Sequence, residues 1–225
     1  MQQSLLPDQL CRAVVDVLGV QGAAISVYLG GDIAVPVGAS DLDATTGEAL
    51  QFTLREGPCF EAYSSRQPVL IPDVASPDSR AWSAWPNYAE QLTRRTSYRG
   101  VFAYPLLSSG LVMGSLSLYG ASQGGTGGSG AVTGIADRIA DRLLQAEIIT
   151  NSAGEPEHRW MDGPASRRRR QVWLAQGLTV QINKLTPGQA LDLLRAQAFT
   201  EDRLLDDFAD DIVSGRLPVP ILGGK

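Results

Sequence analysis

From Ser166 to Leu217 the chain carries three consecutive apolar stripes at helical spacing, separated by turn signals, and this limits the region to a packed helical trio. In the first run Val172, Ala175, Leu178, Ile182 and Leu185 recur on one face, after Ser166, a residue type suited to an N-cap. The second opens with Thr186-Pro187-Gly188-Gln189. Thr186 can cap the backbone, Pro187 suits the first helical position and Gln189 can reach back to close a capping box. Its inner face would carry Ala190, Leu191, Leu194 and Ala198. The third is expected to start at Thr200, with Glu201 and Asp202 where the helix dipole favours negative charge. Leu204, Leu205, Phe208, Ala209, Ile212 and Val213 share its face, and Gly215 is a natural stop. Stripes this short bury themselves only against each other or a partner.

The same residues carry a resemblance. Val172-x-x-Ala175-x-Gly177, then Leu185-Thr186-Pro187-x-Gln189-Ala190, then Leu194-Arg195-x-x-Ala198, then Arg203-x-Leu205-x-Asp207-x-Ala209-x-x-Ile212-Val213 resembles an ANTAR domain over the whole stretch. The resemblance implies binding of paired RNA hairpins in nascent transcripts, and hence prevention of transcription termination. On that footing the RNA-contacting residues are Arg167, Arg168, Arg169 and Arg170, then Ala175, Gln176 and Gly177, and Arg195 and Arg203. The arginine run concentrates charge that phosphates would neutralise, which makes binding salt-dependent. Arg195 and Arg203 match basic positions of the family, and guanidinium grips phosphate or stacks on a base. Ala175 and Gly177 are small enough for close approach of a helix or of RNA. The bland reading of these arginines is a solvated helix start and surface ion pairs, such as Arg195 with Asp192. Besides Thr179-Val180 in place of a Met that often follows Ala-x-Gly, three positions depart from the family pattern. Gln176 stands where Lys or Thr is common, and Asp202 and Leu204 stand where Asn and a basic residue are usual. They motivate an alternative, a sensor or protein-interaction module whose ANTAR-like domain has lost RNA binding. A DNA-binding helix-turn-helix ranks below both, for want of a basic recognition helix.

The first 150 residues read as a mixed α and β domain. Pro7 to Leu18 is an amphipathic helix with Leu10, Val14, Val17 and Leu18 inward. Ala23 to Leu29 is a strand rich in branched residues, Gly30-Gly31-Asp32 is hairpin chemistry, and Pro36 makes the next strand an edge strand. Asp41 caps a helix to about Phe52, and Arg55-Glu56-Gly57-Pro58 turns into another that starts at Cys59. Val69-Leu70-Ile71 is a short strand, a helix runs from about Pro86 to Arg94, and Gly100–Leu107 and Leu111–Tyr119 form a late hairpin. Arg55-Glu56-Gly57-Pro58-Cys59, Val69-x-Ile71-Pro72-Asp73 and the strand ending Gly114-Ser115-Leu116-Ser117-Leu118-Tyr119 resemble a GAF domain, as found joined to ANTAR in actinobacterial regulators. The resemblance implies an α+β fold, an antiparallel sheet flanked by helices, that senses a small molecule in a pocket between sheet and helices or dimerises. It names no single ligand or cofactor.

Gln123 to Gly130 is rich in glycine but lacks the Gly-Lys-Ser/Thr ending of a phosphate-binding loop, and reads as a connection. The helix from Ala131 to about Thr150 places Val132, Ile135, Ile139, Leu143 and Ala146 on one face, a candidate homodimer contact. Asn151 to Ala165 holds Gly154, Pro156, Gly163 and Pro164 and reads as a jointed linker. The expected division is thus residues 1–150 for the sensor, 151–165 for the linker, 166–217 for the helical domain and 218–225 for a tail.

The chemistry excluded is as informative. His158 is the only histidine; it falls in the linker without a metal-spaced partner and reads as solvated. Cys11 and Cys59 give neither metal spacing nor a disulfide framework. A thiol at a helix start can have its pKa lowered, which would make Cys59 a redox sensor; the plainer reading is a packed cysteine. Trp82, Trp85 and Tyr88 read as core or as pocket lining. No catalytic set can be assembled, so the expectation is a non-enzyme. No apolar run reaches the length of a membrane helix and no signal peptide is seen, so a cytoplasmic protein is expected. A net charge of -5 argues against binding nucleic acid over the whole surface and leaves room for one basic patch.

Overall fold

A computed structural model describes residues 5–30, 33–120, 129–150 and 153–222. The Gly31-Asp32 part of the expected hairpin turn, Gln123 to Gly128, Asn151 and the last residues of the tail lie outside the described residues.

The amino-terminal part is built on five antiparallel strands: β1 (Gly22–Tyr28), β2 (Ala34–Ala39), β3 (Val69–Ile71), β4 (Gly100–Ser108) and β5 (Leu111–Gly120), in the order β2-β1-β5-β4-β3. Pro36 lies in an edge strand, where a missing N–H costs no ladder bond. Helix α1 (Leu6–Leu18) covers one face. The opposite face carries α2 (Leu42–Leu54), α3 (Pro58–Ser65), α4 (Arg80–Ala84) and α5 (Pro86–Arg95). Helix α6 (Ser129–Leu144) lies beside α1, and both pack on Ile25, Val27, Leu116 and Leu118. On α1, Cys11 and Val14 face the sheet, whereas Val17, expected inward, is 74% exposed. Asp41 caps α2 as its sequence position implies, its carboxylate accepting from the Ala44 N–H at 2.9 Å.

Within the expected joint the described residues carry regular structure. Helix α6 ends at Leu144, and β6 (Ile148–Thr150) pairs with β7 (Pro156–His158), followed by a 3₁₀ turn, Arg159–Asp162. Trp160 is buried and donates to the Leu143 carbonyl at 3.0 Å. His158, expected to be solvated, stacks on Trp160 with ring centroids 5.2 Å apart, and its Nδ1 lies 3.2 Å from the Ala146 carbonyl. Of the glycines and prolines, Gly154 takes a left-handed backbone, φ 82°, Pro156 opens β7, and Gly163-Pro164 leads into the next helix.

Three helices follow: α7 (Pro164–Asn183), α8 (Pro187–Thr200) and α9 (Leu205–Val213). The capping box of α8 forms, with Thr186 and Gln189 each bonding the other's backbone. Two expectations need correction. The buried face of α7 is Ser166, Arg169, Val172, Ala175 and Thr179, not the stripe through Leu178 and Ile182, and Ile182 is 52% exposed. The register turns because α7 packs on α9 and β2 together. Helix α9 starts at Leu205 rather than Thr200. Asp202 adopts a left-handed backbone, φ 54°, and makes the turn between α8 and α9, so Asp206 and Asp207 are the acids of the first turn. The partner surface of the trio is the sensor itself: Val172, Leu194, Leu205 and Phe208 share one apolar cluster with Tyr28, Ala34 and Phe52.

Candidate functional site

Helix α2 is sandwiched. Ala44 and Gly47 to Thr53 are all buried, which leaves the helix without a polar face over its last two turns. One side meets the sheet and the other meets α8 and α9.

On the sheet side lies a polar cluster inside the core. Alternation along β1 and β5 sends Ile25, Val27, Leu116 and Leu118 toward α1 and α6, and Ser26, Ser115, Ser117 and Tyr119 toward α2. Glu48 is the hub. Its carboxylate accepts from Ser26 at 2.6 Å, Tyr119 at 3.0 Å, the Gln51 amide at 3.1 Å, and Ser117. Gln51 in turn accepts from the Cys59 N–H at 2.9 Å, and the Cys59 sulfur lies 2.7 Å from the Ser117 hydroxyl. Gly57 permits this approach, since at φ 130° any side chain is strained and a Cβ there would run into Gln51. Burial pushes the Cys59 thiol well above its ordinary pKa, with Glu48 adding to the shift. That overturns a helix-start thiolate: the sulfur is a packed group within a hydrogen-bonded network. Tyr88 is buried as core, Trp85 is half-buried and Trp82 stands at the surface. Among the described residues no cluster of His, Cys, Asp and Glu could hold a metal ion.

On the other side Phe52 is the anchor. The Arg169 guanidinium lies over its ring at 3.4 Å from the centroid, and that of Arg195 at 5.1 Å. Trp173 meets the ring edge-on at 5.7 Å. Arg169 donates to both oxygens of Asp206, at 2.8 and 3.2 Å, and to the Ala34 carbonyl at 2.5 Å. Arg195 donates to the Phe52 carbonyl at 3.3 Å. The Leu205 N–H donates to the Thr53 hydroxyl at 3.0 Å, and Ser166 donates to the Pro36 carbonyl at 3.2 Å. At the rim Asp202 accepts from Arg94 at 2.9 Å and from Arg95 at 2.6 Å. These guanidiniums hold the Asp202 carboxyl down at about 2, hydrogen bonding to Arg94 leading.

The residues expected to face RNA are therefore divided. Arg169 and Arg195 are 1% and 9% exposed, covered by Phe52 of α2 and, for Arg169, by β2, and Ala175 is fully buried in the apolar cluster of the trio; these three do not form an outward face. Arg167 and Arg170 reach the surface but pair with Asp162, at 3.3 and 2.8 Å, and Arg168 pairs with Asp207. Arg203 is half-buried and held by Asp211. Gln176 donates to the Pro187 carbonyl at 2.7 Å, and Gly177 stands on open surface, so it permits no close helix approach.

The Glu48 cluster escaped the sequence reading. Alternating serine and leucine in β5 looks like a strand with one wet face; the signal was Glu48 and Gln51 on a helix otherwise lacking a solvent side.

The sequence profile of the GAF domain matches residues 6–129. No curated protein matches the chain. Among solved structures it is similar to the GAF domain region of a membrane protein from Geobacter sulfurreducens, at 16% identity and TM-score 0.48, covering 62% of this chain and 91% of that one. It is also similar to the GAF domain of a phosphoenolpyruvate-protein phosphotransferase from Coxiella burnetii, at 15% identity and TM-score 0.45, covering 62% and 80%. A free methionine-R-sulfoxide reductase from Neisseria meningitidis follows at 17% identity and TM-score 0.42, covering 61% and 75%.

Proposed function

The chain belongs to the GAF domain family, and from that premise we propose that it is a regulator whose sensor domain holds its own C-terminal helical domain in a docked state. One observation carries the reading: Glu48 and Gln51 enter the buried polar cluster while Phe52 and Thr53, on the same two turns of α2, bind Arg195 and Leu205. A small molecule that rearranged the cluster would tilt or rotate α2 and so shift the docking equilibrium. The output is RNA binding by the ANTAR-like trio, acting on hairpins of nascent transcripts to prevent termination. In the docked state Arg169 and Arg195 are withheld. The reading is regulatory: the Cys59 sulfur is packed within the hydrogen-bonded cluster that would pass a signal to α2. A homodimer completes it, formed by the apolar groove of Leu10, Val14, Val17, Ile135 and Ile139 between α1 and α6.

The test is hairpin RNA binding at low salt by the full chain and by Phe52→Ala. The variant is expected to bind about tenfold or more tightly than the parent, with affinity falling as salt rises. If neither binds while both remain folded, the second reading stands: a sensor whose helical domain contacts proteins instead. The pairing of Arg167, Arg168 and Arg170 with aspartates favours that reading.

A further inference from the structure

We propose that Arg94 and Arg95 form a binding site for a terminal phosphate group, and that the Asp202 carboxylate occupies it in the docked state. Both arginines stand in the last turn of α5 and present their guanidiniums to one point. The Gln91 side-chain oxygen accepts from Arg94 at 2.8 Å and from Arg95 Nε at 2.7 Å, which fixes the two groups relative to each other. An oxyanion is already seated there. Both carboxylate oxygens of Asp202 accept from Arg94, one also accepts from Arg95, and the Asp202 carbonyl accepts from Arg95 at 2.7 Å. Paired, planar N–H donors of this kind recognise carboxylate and phosphate oxygens alike.

Donor geometry and charge together select the class of ligand. Three oxygens of Asp202, two of the carboxylate and the carbonyl, are held by the two guanidiniums, as many as a terminal phosphate presents. Glu90, four positions before Arg94 on α5, offsets part of the positive charge, and Arg203 on the docked turn is shared by Glu201 and Asp211. A terminal phosphate carries close to two negative charges at neutral pH and would match both arginines, whereas a phosphodiester carries one. A small phosphorylated molecule is thus favoured over a nucleic-acid backbone. Because the same donors cannot serve both, the ligand and the α8–α9 turn compete, and phosphate binding opposes docking. The site requires only the docked geometry and stands or falls independently of RNA binding.

The test is calorimetric titration of the full chain with inorganic pyrophosphate at low ionic strength, with dimethyl phosphate as the singly charged control. Asp202→Asn keeps a residue that tolerates the left-handed backbone and removes the competing charge. It is expected to bind pyrophosphate about tenfold more tightly than the parent, and Arg94→Gln with Arg95→Gln in that background should abolish binding. The competition can also be read without altering Asp202: pyrophosphate should shift the amide resonances of Asp202 and Arg203 in the parent chain, and Arg94→Gln should remove the shift. Equal affinity of parent and Asp202→Asn, binding that survives loss of both arginines, or dimethyl phosphate binding as tightly as pyrophosphate would each overturn the proposal.

Discussion

Arg169 shows how strongly burial changes what an arginine does. Its guanidinium is out of water, stacked on Phe52 and bonded to Asp206 and the Ala34 carbonyl. Removing one member of a buried ion pair strands the other, at a cost of about 3–5 kcal/mol, while replacing both with apolar groups of similar volume can be neutral. Arg169→Ala should therefore destabilise the chain to that extent in denaturant unfolding, and Arg169→Met with Asp206→Leu should recover most of the loss. Asp202 sits at the opposite extreme, exposed and held by charge. Its docked-state pKa of about 2 lies below its ordinary value of 3.8, so its contribution is complete above about pH 4 and disappears as pH falls toward 2. The difference in unfolding midpoint between the parent and Asp202→Asn should be constant from pH 7 to 5 and shrink below pH 4. A difference that grew on acidification would contradict the clamp. Neither role was legible in the sequence. Arg169 reads as one of four equivalent arginines because Phe52, which sets it apart, lies in the other domain. Asp202 reads as a helix-start acid because its partners, Arg94 and Arg95, lie in the other domain, while the turn it makes is closed by backbone bonds to Phe199 and Ala198.

Elements with local causes were legible. Asp41 before α2, the Thr186–Gln189 box before α8 and the branched residues of β1 and β5 each specify structure within a few positions of themselves. Faces were harder, because a face is chosen by the neighbour. The α7 stripe through Leu178 and Ile182 satisfies the helical period as well as the stripe actually buried, and only β2 and α9 decide between them. Serines at alternate positions of β5 equally fit a wet face or a polar core, and Glu48 settles it. Helix α2 joins the two halves of the molecule, so a change inside the sensor should be felt at the dock. Glu48→Gln places an amide N–H₂ among Ser26, Ser117 and Tyr119, which already donate. We expect a loss of about 1–3 kcal/mol in overall stability. We also expect the α9 amides to lose more protection in hydrogen exchange than the β4 and β5 amides, a difference that a uniform loss of stability would not produce.

At the scale of the whole molecule, two apolar surfaces of the sensor have different fates. The surface around Phe52 and Tyr28 is closed by the C-terminal helices of the same chain. The groove between α1 and α6 is open, with Val17 exposed at its edge beside Arg138 and Arg142. If a second copy closes it, Val17→Asp should convert a dimer into a folded monomer in light scattering, and an unchanged dimer would place the interface elsewhere. Among the described residues no helix is long and apolar enough to cross a membrane. The helical trio rests on α2, and one amide reports it. The first N–H groups of a helix have no partner within it, and the Leu205 N–H that opens α9 finds its partner on Thr53, across the domain boundary. Residue-resolved hydrogen exchange should show Leu205 protected in the parent chain and exposed in Thr53→Val. Exchange of Leu205 near the rate of an unstructured amide, while the β4 and β5 amides stay protected, would show that the domains do not dock.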